Sequence, residues 1–153
     1  MKETYFKSVV MIERLHRLFL EVMKFELDRM NIYDINNVQC LILYKVGREE
    51  VTVGDFRNHG YYLGSNVNYN LRMMVQHEYV TQKPNDHDRR SSCLKLSEKG
   101  LALYDKLDKL FETHVKALAL GDIKAAQFKE LNDTLITLET FWKGMLTRWN
   151  DKH

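Results

Sequence analysis

Proline occurs once in this chain of 153 residues, and cysteine twice. With Pro84 alone, long stretches at both ends hold no residue that breaks a helix. Cys40 and Cys93 are too few and too far apart for a disulfide framework or a zinc site, and a reducing cytoplasm is the expected compartment. No apolar run is long enough to span a bilayer, so no membrane partner is expected. Met1 to Phe6 mix charge with aromatics and lack a signal-peptide core. A surplus of one charge is also missing, since 23 basic against 21 acidic side chains leave +2. A polyanion would have to be recognised by where the charges sit. The six histidines, His16, His59, His77, His87, His114 and His153, show no metal-ligand spacing. Nucleophile elbows, phosphate loops and metalloprotease motifs are likewise missing, so no catalytic residue, metal or cofactor is expected.

What is present is helical periodicity. From Thr4 to Met30 apolar residues recur at Val9, Ile12, Leu15, Phe19, Val22, Met23, Leu27 and Met30, the spacing of one helix face. Asn31 to Asp34 form a break. Asp34 is expected to cap a second helix with Val38, Leu41, Ile42 and Val46 on its apolar face and Gly47 at its end. Thr52 and Asp55 resemble a capping box opening a short third helix, anchored by Phe56 and closed by Gly60. Ser65 caps a fourth, to about His77, with Val67, Leu71, Met74 and Val75 as its buried stripe. The period then alternates, which predicts strands at Tyr79–Lys83 and Cys93–Leu96 joined by a polar loop, Asn85 to Arg90. Ser97 caps a fifth helix stopped by Gly121. A sixth restarts at Asp122 with a seam of Phe128, Leu131, Leu135, Leu138, Trp142, Met145 and Trp149, in steps of three and four. Such a seam normally faces another helix.

The fourth helix carries chemistry on its other side. Ser65, Asn66, Asn68, Tyr69, Asn70 and Arg72 all bear hydrogen-bonding groups. Asn pairs with two edges of adenine and Arg with two acceptors of guanine, each worth about 1–3 kcal/mol of discrimination. Ser, Asn and Tyr also donate to phosphates. A solvated helix face is the plain alternative. Asn is a mediocre helix former, however, which makes three in five residues an odd choice for solvation alone. The hairpin loop holds Arg89 and Arg90, and an arginine at such a tip can enter a minor groove. Lys83 and Lys95, on the strands, are placed to touch phosphates. These residues point to double-stranded DNA as a partner.

The order of elements resembles the multiple-antibiotic-resistance regulator (MarR) family of winged-helix transcription factors. The wing pattern matches at Asp88, Arg90, Leu94, Leu96, Ser97 and Gly100. The stretch Gly64-Ser65-Asn66-Val67-Asn68-Tyr69-Asn70-Leu71 is similar to an alphaproteobacterial-type subgroup with an Asn-Val-x-Tyr-Asn core. The resemblance implies a mainly α fold with a small β-hairpin wing: a winged helix-turn-helix in an intertwined homodimer. Residues 1–33 would be an N-terminal dimerisation helix, 34–100 the DNA-binding domain and 101–153 C-terminal dimerisation helices. It implies a repressor or dual regulator of a bacterial operon, bound to a pseudo-palindromic operator and responsive to a small-molecule effector. Many members have Gly where Glu78 stands, so the turn before the wing is expected to differ. Many also carry Arg or Thr at the positions of Asn68 and Tyr69, so base preference is not transferable.

An effector pocket would draw on His16, Phe19, Tyr33, Tyr44, Phe56, Tyr61 and Tyr62, each of which ordinary packing also explains. Cys93 follows Arg89 and Arg90, which could lower its pKa and make it a redox sensor; a small buried residue is the plainer reading. A protein-interaction module that keeps the winged-helix fold without binding DNA is the alternative from another class.

Overall fold

The computed structural model describes residues 1–58, 65–88 and 90–150. The chain divides into two units, Met1–Leu107 and Asp108–His153. Helix α1, Lys2–Arg29, ends in a Schellman turn: Asn31 takes φ 55°, its amide donates to Asp28 O and the Ile32 amide to Leu27 O, each at 3.0 Å. Only the end of its apolar face, at Met23 and Leu27, is buried.

Helix α2, Asn37–Val46, is capped by Asn36 and not by Asp34. Asn36 Oδ1 accepts from the Gln39 amide at 2.8 Å while Gln39 Oε1 accepts from the Asn36 amide at 3.2 Å. Both orphan donors are thus satisfied reciprocally, which a carboxylate two residues earlier cannot match. Gly47 ends the helix at φ 73°, a conformation that side chains disfavour. The buried face is Gln39, Cys40, Ile42, Leu43 and Val46; Val38 and Leu41 are half-buried.

Thr52 stands at the start of the third helix as expected, and it also closes a strand. Val51–Thr52 is a short strand, β1, paired to the wing through Val51↔Leu94 and Thr52↔Cys93. Helix α3, Val53–Asn58, follows at once, and Thr52 Oγ1 still accepts from the Asp55 amide at 3.0 Å. Phe56 is buried beneath it, and Gly60 lies outside the described residues. Helix α4 spans Ser65–Gln76, with Val67, Leu71 and Met74 in the core. Val75 is exposed, which narrows the expected stripe.

The turn leaving α4 is a second Schellman motif, with Tyr79 N to Met74 O at 2.9 Å and Glu78 N to Val75 O at 3.0 Å. Glu78 stands at φ 66°. The turn before the wing is therefore the left-handed one a glycine would make, and the expected departure is corrected. Strands β2, Val80–Pro84, and β3, Ser92–Leu96, pair antiparallel from Val80↔Leu96 to Pro84↔Ser92, giving the sheet order β1-β3-β2. Helix α5, Glu98–Leu120, starts with Ser97 Oγ accepting from the Gly100 amide at 3.0 Å. The core of this unit gathers Met23, Ile35, Ile42, Leu43, Met74, Val80, Leu94, Leu96, Leu103 and Leu107. The result is mostly helical with a small three-stranded antiparallel sheet.

In the second unit, helix α6 runs over Ala125–Asn150, later than Asp122, with Gln127 Oε1 accepting from the Lys124 amide at 2.8 Å. Its seam is open: Phe128, Leu131, Met145 and Trp149 are exposed, and Leu135, Leu138 and Trp142 half-buried. Among the described residues no helix is long and apolar enough to cross a membrane.

Candidate nucleic-acid interface

Helix α4 has two sides set by its 3.6-residue period. Val67, Asn70, Leu71 and Met74 turn inward; Asn66, Asn68, Tyr69, Arg72 and Gln76 are exposed. Asn70 therefore leaves the expected reading set. It is buried, and its Oδ1 accepts from Gln39 Nε2 at 3.2 Å, extending the α2 capping box into α4. An inward amide is tolerated there because Gln39 satisfies it. Ser65 opens the helix, but its side chain is outside the described residues, as are Arg89, Tyr61 and Tyr62.

Between α4 and the wing lies an open cleft of about 490 Å³, bordered by Asn68 and Arg72 from α4, Gly54 from α3, and Gln82, Arg90 and Ser92 from the hairpin. The wing loop is held by short-range bonds. Asn85 Oδ1 accepts from the His87 amide at 3.1 Å, Asp88 Oδ1 from the Arg90 amide at 2.9 Å, and the Asn85 amide donates to Ser91 O at 3.0 Å. Asp88 thus shapes the loop through the Arg90 backbone, while the Arg90 side chain remains exposed at the cleft.

Strand pleating separates the wing's polar residues, because successive side chains point to opposite faces. Gln82 and Ser92 share the α4 side, and Gln82 Nε2 donates to Ser92 Oγ at 2.9 Å. Lys83 and Lys95 alternate to the other face. Lys83 borders a shallower depression at the outer end of the wing, and its Nζ lies 3.7 Å from Glu50 Oε2. Gln82 and Gln76 went unnoticed in the sequence. Gln76 falls four and seven residues beyond Arg72 and Tyr69, a spacing that would have found it; Gln82 needed the strand pairing.

The described members of the expected effector set stand in different surroundings. Phe56 is in the core. Tyr44 stacks on Tyr104 at 4.8 Å between centroids, with the Arg48 guanidinium 4.8 Å from the same ring. Tyr33 is exposed and donates to Asn31 Oδ1 at 3.2 Å; His16 and Phe19 are exposed on α1. The Cys93 expectation is corrected. Burial and the Glu50 carboxylate raise its pKa against the Lys83 charge, the opposite of the expected lowering. Burial likewise pushes Cys40 up to about 12.

A short helix, a second helix with an exposed hydrogen-bonding face, and an antiparallel hairpin bearing an arginine beside it define a winged helix-turn-helix. The model of the MarR family matches residues 33–91. The exopolysaccharide II synthesis transcriptional activator ExpG of Rhizobium meliloti (strain 1021) is 32% identical over 139 residues, covering 91% of this chain and 72% of its own. This chain belongs to the MarR family of transcriptional regulators. In fold it is similar to AbsC, a MarR family transcriptional regulator from Streptomyces coelicolor, with a TM-score of 0.72 at 16% identity over 94% of this chain and 97% of that one. It is also similar to Streptococcus pneumoniae FabT, solved in complex with DNA, with a TM-score of 0.71 at 16% identity over 92% and 99%. The family is one of transcription regulators.

Proposed function

We propose that this protein regulates transcription as a homodimer on a pseudo-palindromic operator. Asn66, Asn68, Tyr69 and Arg72 would enter the major groove, and Arg90 would hold the backbone or minor groove beside it. The observation that carries this is the cleft where Asn68 and Arg72 of one element meet Arg90 of another. Base-reading and phosphate-binding groups there face one outward surface, while the other side of α4 is core. FabT, solved with DNA, supports duplex DNA as the partner. ExpG is an activator, which favours a dual regulator over a pure repressor.

The dimer is supported by apolar surface. Phe6, Leu15 and Phe25 on α1 are each more than half exposed, and so, separately, are Met145 and Trp149 on α6. Faces of this kind mark protein interfaces. A second copy would bury them and set two heads about 34–36 Å apart. A small-molecule effector would act only by binding the two head spacings with unequal affinity.

Selection of genomic fragments by the purified protein, followed by sequencing, tests the reading. We expect an enriched inverted repeat and sedimentation at twice the chain mass. No retention of any fragment at low salt, or a monomer at micromolar concentration, overturns it.

A further inference from the structure

Three chain segments meet at one carboxylate. Asp34, in the break between α1 and α2, accepts through Oδ1 from the Tyr79 phenol and through Oδ2 from the Lys99 ammonium, both at 2.5 Å. Lys99, in the first turn of α5, also donates to His77 O at 2.9 Å and sits 4.3 Å from the Tyr79 ring centroid. Ser97 grips the same turn, its Oγ donating to Glu78 O at 2.5 Å and its amide to Tyr79 O at 3.0 Å. The turn at 77–79 is where the recognition helix stops and the wing begins, so fixing it fixes both.

Stability alone gives this cluster little purpose. Asp34 and Lys99 are 40% and 44% exposed, and partly exposed ion pairs contribute little. The Tyr79 ring is buried and would pack equally well as phenylalanine. What the phenol, the carboxylate and the ammonium add is direction: together they tie the turn to the α1–α2 connection and to the first turn of α5 rather than to its own sheet.

We infer that Asp34, bridging Tyr79 and Lys99, is a positioning residue that sets the reading head's angle to α1 and so selects the spacing between half-sites. This rests on the dimeric DNA-binding reading above. Inserting one base pair moves a half-site by about 3.4 Å along the duplex and about 34° around it. Only a head of fixed angle penalises that change.

The experiment takes the full chain, Tyr79→Phe and Asp34→Asn, and measures affinity for the selected operator with its spacer shortened or lengthened by one or two base pairs. The unaltered protein should lose about tenfold per step, the 1.4 kcal/mol of one decade. Both variants should flatten to within about threefold across the set, with base preference inside each half-site unchanged. Half-site preference is a readout that a general loss of structure would also damage, which separates positioning from unfolding. Tyr79→Phe keeps the core ring and Asp34→Asn sits at the surface, so a folded variant is at hand even if one fails. Variants that keep the parental spacer profile overturn the inference while leaving the DNA-binding reading intact. A parent that binds no duplex overturns both.

Discussion

Asn68 and Asn70 stand two residues apart on α4 in opposite surroundings. Asn68 borders the cleft, and Asn70 is buried against Gln39. Replacing Asn70 by Ala leaves the Gln39 amide without its acceptor and should cost about 1–3 kcal/mol of stability in urea unfolding. Asn68→Ala should change stability by less than about 0.5 kcal/mol and flatten preference at one base position by about 1–3 kcal/mol. Equal loss on every duplex would remove Asn68 from base readout. At Asp34, burial opposes the charged form, but hydrogen bonds from Lys99 and Tyr79 and the Lys99 charge outweigh it, and the carboxyl is lowered from 3.8. A carboxyl with a depressed folded pKa stabilises above its unfolded value, and that contribution is lost as pH falls through the folded one. The melting temperature of the parent should exceed that of Asp34→Asn near neutral pH, with the gap closing below 3.8. A gap that is constant with pH would show that the charge is not involved.

At the scale of elements, the wing is attached by close backbone contact. A Cβ on Gly100 would lie 2.1 Å from Tyr79 O, a main-chain atom that cannot swing aside. Gly100→Ala should force α5 and the α4–β2 turn apart and cost about 1–3 kcal/mol, readable as a lower denaturation midpoint. An unchanged midpoint would mean that the turn yields freely. The wing's part in binding is read from salt. Arg90→Ala should weaken all sequences alike and lower the slope of log affinity against log salt by about 1. The helix spans were legible because their apolar periods are long and clean. Strand β1 was not: two residues leave no period to read, and only pairing with β3 makes Val51–Thr52 a strand. The α2 cap slipped for a similar reason. Asp34 and Asn36 are both good capping residues, and the choice fell to Gln39, three residues beyond Asn36.

Over the whole molecule, reading head and long helices have different debts to the sequence. The binary pattern alone determined a helical protein with an alternating hairpin after the fourth helix, since burying one stripe of each element is a local demand. The wing pattern, with Asp88, Arg90 and Gly100 at set spacings, carries the resemblance to the family. Tertiary structure decided what the polar residues meet. Asn70 falls in the same helical row as Val67, Leu71 and Met74, so the period already turns it inward where Asn68 faces out, and the packing of α2 on α4 supplies Gln39 to pair with it. Lys83 and Gln82 are neighbours, and only the pleat against α4 puts Gln82 at the cleft. It also gave Asp34 to Tyr79 and Lys99, 45 and 65 residues away. A carboxylate's partners at that separation depend on how three elements close around it, and no local period records that.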